Sequence, residues 1–133
     1  MAKDRARRDE RAPEPDQLVV RGVLGDAGLD PEDLRANAVA NRDLYGFFAI
    51  SVWLVGADYP LGSLEQTKLV KFDQYAEFVV ADLVGHGLEL WATGQSPHYD
   101  VVHSRNDLDA LVEVMVATPH QVRSNPHVDR EEH

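Results

Sequence analysis

The chain contains no cysteine. Disulfide bridges and thiolate metal sites are therefore excluded, and a reducing compartment is permitted without being required. Long apolar runs are also missing. The longest, Phe47 to Val55, is interrupted by Ser51 and falls well short of the roughly 18 residues a membrane helix needs. It reads as a strand, and no membrane partner is expected. Cations are scarce: Lys and Arg number 13 against 23 Asp and Glu, a formal net charge of −10. Nucleic-acid binders carry a basic footprint that neutralises phosphates, and long-range repulsion opposes such binding by this domain. The basic cluster Lys3, Arg5, Arg7, Arg8 and Arg11 lies in "MAKDRARRDERAPEPDQ", which has no apolar segment behind it. That stretch does not read as a secretory signal, so the expected location is cytoplasmic.

A length of 133 residues suits one domain able to bury a core. Residues 1–16 carry charge and two prolines with nothing to bury, and read as a disordered tail. Residues 17–118 read as a single α+β domain, with about four strands in a mixed sheet and three or four helices. Residues 119–133, which follow the threonine that opens "TPHQVRSNPHVDREEH", read as an extended C-terminal tail. In it, His120 and His127 stand beside prolines and offer at most loose metal binding.

Local signals mark the elements. "QLVVRGV" suits a buried strand, in which Gly22 marks a bulge or a close approach. Asp30, Pro31, Glu32 and Asp33 form a helix start: cap, first-turn proline and acids matched to the dipole. That helix is expected to reach about Ala40. Alternation in "LYGFFAISVWLVG" sets Phe48, Ile50, Val52 and Leu54 against Phe47, Ala49, Ser51, Trp53 and Val55. Both faces are apolar, which places the strand centrally. Ser63 and Gln66 have capping-box spacing. Phe72, Tyr75, Ala76, Val79, Val80 and Leu83 fall at helical spacing and favour a helix ended by Gly85 or Gly87, with a strand at residues 78–81 as the alternative. "LELWATG" and "HYDVVH" read as a hairpin, and "NDLDALVEVMVA" as the closing helix with Leu108, Leu111, Val112 and Met115 inward.

Candidate chemistry concentrates in "GQSPHYDVVH". On a strand, His98 and Asp100 share one face, and Tyr99 and His103 the other. A metal site built from the two histidines is poor geometry. His98 with Asp100 is better placed, since a carboxylate beside an imidazole fixes its tautomer for acid–base work, although plain hydrogen bonding explains such a pair as well. If Trp91 sits opposite Val101, Glu89 faces His103 as a cross-strand charge pair. Arg21, between Val19 and Val23, must snorkel, pair with an acid, or bind a phosphate or carboxylate in a cleft. The sequence contains no phosphate-cradling loop with lysine, dinucleotide fingerprint, paired zinc histidines or nucleophile elbow.

"VVRGV" in the first strand followed by "AIS" in the second resembles the arginine-then-serine order of ADP-ribosyltransferase-like domains. The resemblance implies that Arg21 contacts a dinucleotide, NAD, that Ser51 supports the site, and that a later acid completes it. The family's two acids one residue apart are missing, so Glu89 or Asp100 would have to serve, and the chain is short for that fold. Two readings follow. In one, a small acidic protein binds a protein partner, itself basic, and needs no cofactor. In the other, a toxin-like enzyme acts on a nucleotide-containing substrate. There Glu89, His98 and Asp100 are the catalytic candidates, and Arg21, Ser51 and Tyr99 the substrate-binding ones. The second reading requires these residues to line one pocket; the first does not.

Overall fold

A computed structural model of the chain describes residues 13–23 and 28–128. The tail expected over residues 1–16 therefore lies mostly outside the described residues. Its last part docks, with the carbonyl of Pro15 accepting from Ala81 N at 2.9 Å.

Among the described residues, six antiparallel strands form one sheet with the order β4-β5-β2-β1-β3-β6. The strands are β1 (Leu18–Val23), β2 (Ile50–Leu54), β3 (Gln74–Val79), β4 (Leu88–Ala92), β5 (His98–His103) and β6 (Gln121–Ser124). Four helices, α1 (Pro31–Tyr45), α2 (Leu61–Gln66), α3 (Val80–Gly85) and α4 (Leu108–Ala117), connect them. The α+β class stands, while the sheet has six strands instead of about four and is antiparallel instead of mixed.

The alternation read in β2 organises both faces. Ile50 and Val52 pack with Val19, Val23, Ala76, Phe78, Tyr99 and Val101 beneath Leu34, Ala38, Leu111, Val112 and Met115. This is the main core, on the side of α1 and α4. On the other side Val20 and Tyr75 meet Leu64 and Leu69, with Trp53, Val55, Tyr59 and Leu61 around them. No helix among the described residues is long and apolar enough to cross a membrane.

The start of α1 is capped as its residues dictate, since Asp30 Oδ1 accepts from Glu32 N at 3.0 Å. The helix runs past Ala40 to Tyr45, where Gly46 adopts a left-handed conformation, φ 92°, that glycine takes at no steric cost. Ser63 does not cap α2: Pro60 holds that position, without a side-chain bond. The helix favoured for residues 72–83 is a correction. Residues 74–79 are β3, and only Val80–Gly85 are helical. Its apolar residues look helical in spacing because the strand is buried on both faces, Tyr75 on one and Ala76 and Phe78 on the other. A strand covered on both sides has no strict alternation to betray it.

The C-terminal segment is extended as expected, but it is part of the sheet. β6 pairs with β3, placing Val122 opposite Ala76 and Arg123 opposite Tyr75. Just beyond it, buried Asn125 donates from Nδ2 to the carbonyls of Glu65 and Leu69 at 3.0 and 2.9 Å. Those carbonyls belong to the stretch that covers the second face. The Leu69 carbonyl also accepts from Phe72 N at 2.9 Å, so Asn125→Ala strips it of only one of two donors. The loss is expected to total roughly 1–3 kcal/mol, read as a fall in urea-denaturation stability.

Beside it, Tyr75 donates its hydroxyl to Glu65 Oε2 at 2.6 Å. Burial, reinforced by this bond and by the nearby carboxylates of Glu65 and Glu77, raises the phenol above the ordinary tyrosine range. The folded chain thus keeps a proton that the unfolded chain loses near pH ~10. The contribution of Tyr75 to stability is expected to be level below that pH and to fall above it. Tyr75→Phe should flatten the alkaline decline measured by chemical denaturation.

Candidate functional site

The register of β1 and β2 locates the most unusual feature of the sheet. Their ladder holds at Val19↔Leu54 and Val20↔Trp53, and Val55 N donates to the carbonyl of Leu18 at 2.8 Å. Continued regularly, it would pair Gly22 with Ser51. Two side chains take that pairing instead. Ser51 N donates to Asn37 Oδ1 at 2.8 Å, and Ser51 O accepts from Arg21 Nη1 at 2.9 Å. The strands are wedged apart by a guanidinium and an amide.

Arg21 is 8% exposed. It also donates to Asn37 Oδ1 at 3.2 Å and forms an ion pair with Asp33 through Nη2 at 3.0 Å. Both partners lie on α1. Burial lowers the pKa of the guanidinium, and the charge and hydrogen bond of Asp33 oppose that shift. Of the alternatives open for Arg21, the ion pair with an acid is the one seen. Its Nε is buried without a hydrogen-bond partner. A cavity of about 140 Å³ opens here, lined by Arg21, Gly22, Asp33, Trp53 and Phe72. Gly22 is required: a Cβ there would lie 2.3 Å from the Phe72 ring, which is the close approach its position suggested.

The other candidates lie elsewhere. Pairing places Val52 opposite Tyr99 and Trp53 opposite His98. Tyr99 therefore shares the helix side with Arg21, where it is 2% exposed within the core. The side chains of Ser51, His98 and Asp100 share the opposite side with Trp53. There the ring of His98 meets that of Trp53 edge-on, with centroids 6.0 Å apart. His98 Nδ1 lies 3.0 Å from Thr93 Oγ1 and 3.2 Å from the Thr93 carbonyl. A hydrogen bond to the carbonyl requires the proton on Nδ1, while the Thr93 hydroxyl can donate or accept. Nε2 lies 3.8 Å from Asp100 Oδ1, beyond hydrogen-bonding distance. Asp100 is fully buried.

The hairpin register differs by one residue from the expected one. Trp91 faces Asp100, Glu89 faces Val102, and Leu88 faces His103. A one-residue slip changes every side-chain neighbour, and the Glu89–His103 pair does not form. Glu89, exposed on edge strand β4, instead accepts from Trp91 Nε1 at 3.1 Å. His103 Nδ1 accepts from Arg105 N at 3.2 Å.

The six candidates therefore do not line one pocket. Arg21 and Tyr99 lie on the helix side, and the side chains of Ser51, Glu89, His98 and Asp100 on the other. Sequence reading missed Asp33 and Asn37 as the partners of Arg21. Their spacing on α1, one turn apart and both facing the sheet, was the available signal. Among the described residues no cluster of three or more His, Asp or Glu could hold a metal ion. Comparison of the chain with protein-family models, with curated proteins and with solved structures finds no match.

A buried ion pair that loses one partner leaves an uncompensated charge. Arg21→Ala is expected to destabilise by roughly 2–4 kcal/mol, below the value for a fully buried pair because Asp33 keeps contact with water. His98→Ala, at a half-buried position, should cost clearly less. Thermal denaturation of both variants checks the order, and equal losses would contradict it.

Proposed function

We propose that this chain is a non-catalytic docking protein whose partner is a basic protein. The observation that carries this reading is the division of the candidate residues between two faces of the sheet. An acid–base pair at His98 and Asp100 has the sheet between it and the guanidinium that would hold its substrate. That guanidinium already binds Asp33, Asn37 and Ser51.

The net charge of −10 then becomes the dominant feature available to a partner, because it steers encounter with a cation-rich surface. The outer stripe of α1 suits the contact. Ala36, Val39, Ala40 and Leu44 are exposed along it, with Leu44 62% accessible. Exposed Glu32 and Asp43 flank the stripe on α1, and Glu113 is exposed on neighbouring α4. Arg42 also lies on this rim, 3.9 Å from Asp43, so the carboxylates left to a partner are chiefly Glu32 and Glu113, and the apolar strip between them complements an amphipathic helix rich in lysine.

The test uses a fluorescent lysine-rich amphipathic peptide and anisotropy over a series of salt concentrations. Binding is expected to weaken steadily as salt rises, since exposed charges are screened beyond ~10 Å at 0.1 M. The double substitution Val39→Lys with Leu44→Lys should weaken it further while the fold is kept. Unchanged binding by that variant overturns the assignment to α1. Hydrolysis of NAD by the wild-type chain that is lost in His98→Ala would establish the enzyme reading instead.

A further inference from the structure

A cavity of about 250 Å³ opens where β3 passes into α3 and the C-terminal segment returns beside them. Glu77 and Val79 of β3, Asp82 of α3, and Pro119, His120 and Gln121 at the start of β6 line it. The pairing that sets Gln121 opposite Glu77 assembles this lining from distant stretches of the chain. Glu77 is 8% exposed, and a carboxylate so enclosed is costly without partners. Its Oε1 accepts from Arg123 Nε at 3.0 Å. Its Oε2 accepts no hydrogen bond from the described residues, but it is not walled in, because Glu77 opens on the cavity. Of half-buried Asp82 only the carbonyl is engaged, by His86 N and Nδ1, which leaves its carboxylate unpaired among the described residues. His120 Nδ1 lies 2.8 Å from the Thr118 carbonyl. That bond requires the proton on Nδ1 and makes Nε2 an acceptor in the neutral ring. The ring is held against that of Phe78, with centroids 4.9 Å apart.

Charge narrows the ligand. Arg123 pairs with Glu77 and also donates from Nη2 to Gln121 Oε1 at 2.7 Å, so two carboxylates and one guanidinium leave a local surplus of one negative charge. An anion is repelled by that surplus and by the field of a chain carrying −10. A neutral ligand leaves the surplus uncompensated. A metal ion needs ligand atoms at roughly 2.0–2.2 Å, and no three His, Asp or Glu among the described residues form such a group. An ammonium group supplies one positive charge and three N–H donors with no acceptor. Its contacts lie at ~2.7–2.9 Å, which lets the acceptors around it stand further apart. We propose that the cavity binds a primary alkylammonium group. Its three N–H donors go to Glu77 Oε2, the Asp82 carboxylate and His120 Nε2, and its alkyl chain lies on Val79 and Pro119. The volume of about 250 Å³ is below the ~300–1,000 Å³ of sites for drug-sized ligands, which limits the ligand to a small amine or the end of a lysine side chain. The site shares no residue with α1 and does not rest on the docking reading.

The test is an NMR titration of the ¹⁵N-labelled full chain at fixed ionic strength, following the backbone amides of Val79, Asp82 and Gln121. Butylammonium is expected to move all three along one saturable curve. Tetramethylammonium is a cation without N–H donors, and butyrate carries the opposite charge on a similar chain. Both should bind about tenfold more weakly or worse, as for the loss of hydrogen bonds to charged groups. Asp82→Asn, which keeps the shape and removes a charge, should weaken butylammonium binding by a similar factor. Glu77→Gln should do the same. Should loss of the Arg123 pair unfold that variant, His120→Phe supplies the second comparison by keeping a ring against Phe78 and removing Nε2. Nα-acetyl-lysinamide offers the same head and chain on a peptide backbone. Binding equal to that of butylammonium assigns the site to a lysine of another protein, and weaker binding assigns it to a free amine. Amides unmoved by butylammonium, equal binding of tetramethylammonium, or binding unchanged in Asp82→Asn each overturn the proposal.

Discussion

The structure turns on one guanidinium set between two strands. Arg21 enters the sheet at the point where β1 and β2 should continue to pair, and it draws Asp33 and Asn37 of α1 with it. Removing a guanidinium from water is costly, and the cost is offset in part because the Ser51 peptide, displaced from the ladder, finds new partners in Asn37 and Arg21. A buried polar network of this kind tolerates little rearrangement. It fixes the position of α1 over the sheet, and α1 in turn covers the main core through Leu34 and Ala38.

The same end of the sheet depends on small residues and on a distant segment. Gly22 admits the Phe72 ring against the β1 backbone. Phe72 closes the loop that begins with α2, and that loop is held from behind by Asn125. The C-terminal segment therefore acts on the second face of the sheet, close to the wedge, although it lies farthest from it along the chain. Arg123 extends this arrangement by pairing with buried Glu77 at 3.0 Å, so β6 carries the cation that neutralises a carboxylate on its neighbour.

Two consequences bear on function. The arginine that looked available for a substrate is a structural member, and the histidine–aspartate pair stands on the other side of the sheet from it. The proposed docking rests on a surface rich in carboxylates and on the outer stripe of α1.

Much of the fold was readable residue by residue. The Asp30–Pro31 start of α1, the two-sided alternation of β2 and the close approach at Gly22 all appear as expected. The first two rest on interactions within a few residues, and the third on the backbone space that a glycine leaves open. The remainder depended on pairing between distant segments. β3 has apolar residues at helical spacing, and only its neighbours β1 and β6 make it a strand. The segment containing β6 has little to bury by itself and gains its structure from the open edge of β3. The hairpin slipped by one residue because its turn, and not its apolar pattern, sets the register. Arg21 had several acids to choose from, and the choice of Asp33 required α1 to be laid across the sheet first. Local spacing states which residues can form an element, while the side of the sheet each one faces, and what it meets there, is decided by partners tens of residues away.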